Sequence, residues 1–298
     1  MNKFVIVTDS CSDLTKELRA QYDIDYIPMH TICDGTDTPA SLDWEYIPCK
    51  EFYTRLRNGT RFMTAQITQG EYIERFTQYL EQGYDILSIS CSSALSASVK
   101  GSYMARDELL QKYTDRKIYC VDSLNSCFGL GMLCITASKM RQEGKTIDEV
   151  YDWLEANKLK ANQFCTVDSL EYLRRAGRVA AGKAFFSGLL NIKPIIISDA
   201  DGQNNAVDKV MGRKLAIKKL VTDFVENYES SPYQIVCVAH ADCEEEALAF
   251  KQKIVDALPD KDVPVLFNTL GPIIGASAGP GTIAVYFYGK EVTYRSAK

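Results

Sequence analysis

YDILSISCSSALSAS, residues 84–98, decides how the first half of this chain is read. Its opening, YDILSIS (84–90), has the length and apolar lean of a buried strand, and six serines then fall within the eleven positions 88–98. A linker, a set of helix caps and a ligand site can all be rich in serine, and position separates them. These serines begin at the end of a strand and run into the first turn of a helical segment through Tyr103, Met104 and Leu109. In open parallel sheets, ligands bind at that edge. Hydroxyls together with the free N–H groups of a helix N-terminus suit an anion. Capping is the competing reading, whereas a linker would lack the flanking strand and helix.

On either side of this stretch, FVIV (4–7) reads as a buried strand, DYIPMHTI (25–32) as a second and KIYCVDS (117–123) as another. Ser or Asp in TDSCSD can cap the helix that follows the first of these, with Asp13 at the helix start. T-Q-G-E (68–71) and T-I-D-E (146–149) are capping boxes. The first precedes a helix with Tyr72, Ile73, Phe76, Tyr79 and Leu80 on one face, and the second a helix ending near Lys158. Strands alternating with helices predict a parallel sheet flanked by helices.

After about residue 160 the alternation is less strict. NQFCTVDS, NIKPIII, YQIVCVAHA, VPVLFNT and TIAVYFYG are strand-like. Amphipathic helices are predicted over 213–228 (Leu215, Leu220, Val221, Phe224, Val225) and 244–257 (Ala247, Leu248, Phe250, Ile254, Val255). The reading is therefore α/β in two domains: 1–160 with a parallel sheet, and 161–298 with a mixed α+β sheet.

Composition narrows the function. A net charge of −5 speaks against nucleic acid, whose binding rests on Lys and Arg. No apolar run approaches the roughly 18 residues of a membrane span. MNKFVIVTDS turns polar too soon for a signal peptide, so the ten cysteines point to a reducing, cytoplasmic compartment rather than a disulfide framework. With no C-x-x-C and only two histidines, His30 and His240, no metal site is expected.

Other chemistry was weighed against plainer readings. Asp9 and Asp13 can suggest metal or phosphoryl chemistry, although a capping role serves Asp13 equally. A serine hydrolase would need His30 or His240 as its base, and G-x-S-x-G is absent. GPGT (279–282) is either a turn or a site wall. Arg174, Arg175, Arg178 and Lys183 form either a solvated face or a docking patch for an acidic partner.

TDSCSDL (8–14), TAQIT (64–68), SSALSAS (92–98), VDSLNSCFGLG (121–131), DSLEYLRRAGRV (168–179), LLNIKP (189–194) and GPIIGASAGPGT (271–282), in this order, resemble the DegV family of bacterial fatty-acid-binding proteins. The resemblance implies two α/β domains with a long acyl chain in a tunnel between them. It also implies no catalytic activity and no cofactor, with the bound acid presented to a separate fatty-acid kinase. By the same resemblance Thr64 and Ser96 hold the carboxylate, and Ser93, Ala97, Ser98, Ser277, Gly279 and Gly281 form the pocket wall. The family's L-S-G-T-like motif is Leu95-Ser96-Ala97-Ser98 here, and its usual His before G-P-G is Ser277. An Arg of its K-V-R-x-x-K-like docking motif is Met211, which leaves Arg178 and Arg213 as further docking candidates. The alternative is a hydrolase or phosphoryl-handling enzyme built on the serine-rich turn.

Overall fold

The computed structural model describes residues 3–180 and 191–296. Lys183, and Leu189 and Leu190 of the LLNIKP stretch, lie outside the described residues. The buried apolar runs become β1 (Phe4–Asp9), β2 (Ile24–Ile27), β6 (Asp85–Ser90) and β7 (Ile118–Asp122), a four-stranded parallel sheet in the order β2-β1-β6-β7. DYIPMHTI does not form one strand. Pro28, which has no N–H to donate, separates β2 from β3 (His30–Cys33). β3 instead joins β4 (Thr36–Pro39) and β5 (Met63–Ala65) in a small antiparallel sheet, order β4-β3-β5.

The helices of this half are α1 (Lys16–Tyr22), α2 (Cys49–Arg57), α3 (Gln69–Glu81), α4 (Ser98–Lys112), α5 (Cys127–Gln142) and α6 (Ile147–Asn157). Both capping boxes form, with Thr68 and Glu71 reciprocal on α3 and Thr146 and Glu149 on α6. Thr15, not Asp13, caps α1, and Asp13 sits in the left-handed region (φ 50°) just before it. α5 is buried on every side from Cys127 to Ser138, because it touches both the parallel sheet and strands of the second half. Gly131 allows this approach: a Cβ there would lie 2.7 Å from the carbonyl oxygen of Ser12.

The second half contributes β8 (Ala161–Thr166), α7 (Leu170–Ala176), β9 (Ile192–Ser198), β10 (Asn204–Met211), α8 (Arg213–Asn227), β11 (Val236–His240), α9 (Glu244–Ala257), β12 (Val265–Thr269), α10 (Pro272–Ala278) and β13 (Ile283–Tyr288). Its six-stranded mixed sheet runs β10-β9-β8-β13-β11-β12, antiparallel throughout except for β11 beside β12.

Strand alternation gives this sheet two faces. Phe164, Ile195, Val285 and Phe287 belong to an apolar layer completed by Ala216, Ile217, Leu220 and Phe224 of α8 and by Phe250 and Ile254 of α9. Leu215, Val225 and Leu248, expected on the inward stripes of those helices, point to solvent instead. Cys165, Ile196, Ala284 and Tyr286 face the other way, into a core shared with the first half.

Candidate functional site

The parallel sheet ends where β1 and β6 deliver Cys11 and Cys91. Asp9, the last residue of β1, accepts the backbone N–H groups of both cysteines at 2.8 Å each. One carboxylate thus pins two neighbouring loops. Burial pushes its carboxyl up to about 6, against the opposing pull of those donors.

Above this edge lies a cavity of about 360 Å³, bounded by the 91–97 loop, β5, the start of α5, the inner face of the six-stranded sheet and α10. That volume is in the usual range for small-molecule sites, about 300–1,000 Å³. Thr64, Ser96, Ala97 and Ser277 all line it, although they come from three separate parts of the chain. Arg178 lines it too. Thr64, Arg178 and Ser277 also border an adjoining recess of about 280 Å³, so these three mark where the two spaces meet.

The six serines divide by task. Ser88 and Ser90 are buried within β6, and Ser90 shares a hydrogen bond with the Tyr72 hydroxyl at 3.2 Å. Ser92 accepts the N–H of Ala94 at 3.2 Å. Ser96 faces the cavity, while its hydroxyl accepts the Ser98 N–H at 3.2 Å and lies 2.9 Å from the Ser98 hydroxyl. Ser98, fully buried, accepts the Ile67 N–H at 3.1 Å. The Ser96–Ser98 pair therefore ties the loop after β6 to the segment leaving β5, which carries Thr64. The Thr64 hydroxyl has no partner among the described residues.

Several expected wall residues lie elsewhere. Ser93 is exposed and donates its N–H to Asp122 at 3.1 Å. Ser98 sits behind Ser96, off the cavity surface. Gly279 and Gly281 have φ near +80° and are not among the lining residues. A Cβ would fall 2.3 Å from the Tyr172 ring at Gly279 and 2.6 Å from the Asp168 side chain at Gly281, so close packing against α7 and its entry loop accounts for both glycines. Met211 is half-exposed at the end of β10, and Arg213 is engaged bidentately by Glu246 at 2.9 and 3.0 Å, both outside the cavity.

Neither histidine lines the cavity. His30 lies between Asp37 (2.9 Å) and Glu71 (2.7 Å), and His240 stacks on Phe267 with its ring centroid 5.0 Å away. Asp13 accepts the Gly271 N–H at 3.0 Å, and burial pushes its carboxyl up to about 7. Its task is to hold the start of α10, a cavity wall, against the first half. Among the described residues no cluster of three or more His, Cys, Asp or Glu could hold a metal ion, and no helix is long and apolar enough to cross a membrane.

Sequence reasoning missed six polar residues of the wall: Gln66, Ser126, Gln163, Asn204, Thr282 and Tyr286. One signal was available. In A-N-Q-F-C-T the period of two puts Gln163 on the face opposite Phe164, a polar side chain where an inward apolar one is the norm.

This geometry defines a class: an α/β protein of two large sheets enclosing a largely apolar cavity lined also by hydroxyls and a guanidinium. Residues 3–290 match the family model described as an uncharacterised protein of the DegV family. A DegV domain-containing protein of Clostridium perfringens is 39% identical over 97% of this chain and 98% of its own length. The chain belongs to the DegV family. Among solved structures it resembles a DegV lipid-binding protein of Thermotoga maritima (27% identity, 98% and 100% of the two chains, TM-score 0.84). It also resembles a fatty-acid-binding DegV family protein of Thermus thermophilus (26%, 97% and 100%, TM-score 0.85).

Proposed function

We propose that this chain binds a long-chain fatty acid as a tunnel ligand between residues 1–160 and residues 161–298, without chemistry of its own. In this reading the carboxylate lies at Thr64 and Ser96, and the protein presents it in the cytoplasm to a partner fatty-acid kinase. The observation that carries the proposal is the pairing of an unpartnered Thr64 hydroxyl with the Ser96 hydroxyl and Arg178 on one cavity whose lining also includes Cys165, Val167, Leu173 and Ile196. Fatty-acid binding by the Thermus thermophilus relative supports it. Burying about fourteen methylenes at about 0.8 kcal/mol each supplies on the order of 11 kcal/mol before ordering costs. Arg178, beside the head-group residues, is the first candidate for kinase contact. Arg213 is committed to Glu246, and Met211 offers no cationic donor.

The test compares a fatty acid with the corresponding alcohol. Thr64→Val and Ser96→Ala each remove one donor to a charged head group, so affinity for the acid should fall roughly 10- to 100-fold. Alcohol binding should change much less, and since both ligands share one tail the comparison cancels any loss of packing. Equal weakening of acid and alcohol by Ser96→Ala would reduce Ser96 to a brace for the start of α4 and remove the carboxylate from this position.

A further inference from the structure

The inner face of the six-stranded sheet is not uniformly apolar. Tyr286 pairs with Gln163 and Asn204 with Ser198, and the register Cys165 with Ile196 sets Gln163 opposite Ser198. One transverse row across β13, β8, β9 and β10 therefore reads Tyr286, Gln163, Ser198, Asn204. The next row on the same face reads Ala284, Cys165, Ile196, Ala206 and is apolar apart from the thiol.

Most of the polar row is spoken for. The Tyr286 hydroxyl meets the Cys127 thiol, and the Ser198 hydroxyl donates to the Leu124 carbonyl at 3.0 Å. Gln163 reaches past the small Ser198 and donates through Nε2 to Asn204 Oδ1 at 3.2 Å. Three capacities are left without partners among the described residues: the Gln163 carbonyl oxygen, its second N–H and the Asn204 amide nitrogen. Gln163 is only 6% exposed, yet it lines the cavity together with Asn204. Ser126, also on the wall, is 5% exposed, and its hydroxyl is likewise unpartnered among the described residues. These atoms keep accessible surface toward the cavity, so a plain hydrocarbon laid over them would strip them of hydrogen-bond partners at a cost that leucine at position 163 would avoid.

We infer that the acyl chain this cavity selects carries a neutral oxygen along its length, as a hydroxy fatty acid does, and that Gln163 with Asn204 recognises it. Gln163 offers an acceptor for the ligand hydroxyl and a donor to its oxygen, and the match requires no charge. The inference rests on the fatty-acid reading above and adds a second polar contact on the wall of the same cavity. Gln163 is thus a specificity-determining residue, and chain oxygenation, rather than length alone, distinguishes the preferred ligand.

The experiment measures affinities of the full chain for octadecanoic acid and for a series of octadecanoic acids with a single hydroxyl at successive carbons. One position, or two adjacent ones, should bind about 3- to 10-fold tighter than the unsubstituted acid, the range expected of one added neutral hydrogen bond. Gln163→Leu should erase that preference and bind octadecanoic acid at least as well as the parent protein does. Gln163→Met, flexible and close in length, repeats the test should the branched side chain disturb folding. No preference at any carbon, or a preference that survives both substitutions, overturns the inference and leaves fatty-acid binding standing. Failure of every acid, substituted or not, overturns both.

Discussion

The two faces of the six-stranded sheet are made by alternate residues of the same strands, yet they follow different rules. On the outer face Phe164, Phe224 and Phe287 pack ring against ring, with centroids of Phe287 4.8 Å from Phe224 and 6.0 Å from Phe164. The centre of that face is packed for volume, with polar side chains such as Asn162 and Thr166 kept to the strand ends. On the inner face Gln163, Cys165 and Tyr286 border the cavity, and a row of side chains that can hydrogen-bond lies beside an apolar one. One strand can serve both ends because a period of two keeps the face that folds and the face that binds from sharing a residue. Substitutions on the two faces should therefore separate stability from selectivity.

The largest effect is expected outside. Phe287→Ala leaves a cavity at a fully buried position and should cost about 3–5 kcal/mol in denaturant unfolding. Affinity measured on the folded protein should change by no more than about 2-fold, since an outer side chain is not part of the wall. A loss of affinity as large as the loss of stability would show that the two faces are not independent.

An intermediate effect is expected at the seam. Ser98→Ala leaves the Ile67 N–H without its acceptor, at a cost of about 1–3 kcal/mol. Hydrogen exchange should report it locally, with the Ile67 amide exchanging at least about 5-fold faster while amides of α9 keep their rates. Unchanged exchange at Ile67 would mean that Ser98 does not hold the Thr64 segment in place.

The third effect is a change of slope, close to zero at low pH. Asp13 titrates at about 7 in the folded protein against 3.8 without burial, so the folded state holds its proton more tightly. That contribution is complete below about 4 and is lost as pH rises through about 7. Asp13→Asn keeps an acceptor for the Gly271 N–H but cannot ionise, so its melting temperature should fall less steeply with pH than that of the parent. Asp9 has the same sign but is present in both proteins and cancels, so the two curves should separate between about 4 and 7 and run parallel above that. Parallel curves across that range would locate the pH sensitivity away from the inner layer.

What was legible in the sequence follows from how locally each feature is encoded. FVIV, YDILSIS and KIYCVDS announce their strands because buried parallel strands are continuous apolar runs. The two capping boxes are written within four residues each. β10 was missed because most of its residues are polar or solvent-facing, as an edge strand permits. α10 was missed because seven residues, PIIGASA, are too few to show a helical period. At the site, Thr64, Ser96, Ala97 and Ser277 were named from family-like motifs and do share one cavity. Asp13 was read as a helix cap because its partner, Gly271, is 258 residues away. Gln163 escaped because one polar letter in a strand has no meaning until the register shows which face it occupies.

The cavity wall carries sulfur at Cys11, Met29, Cys91, Cys127 and Cys165, and the Cys11 thiol lies 3.3 Å from the Met29 thioether. Sulfur is soft and polarisable, so such a lining adapts to straight and bent hydrocarbon alike. The Cys11, Cys91, Cys127 and Cys165 thiols are all held above the usual thiol range, so they stay protonated and serve as packing rather than as nucleophiles. A wall of soft, uncharged sulfur gives way to its occupant as a cushion does, so the fit is set by the guest as much as by the host.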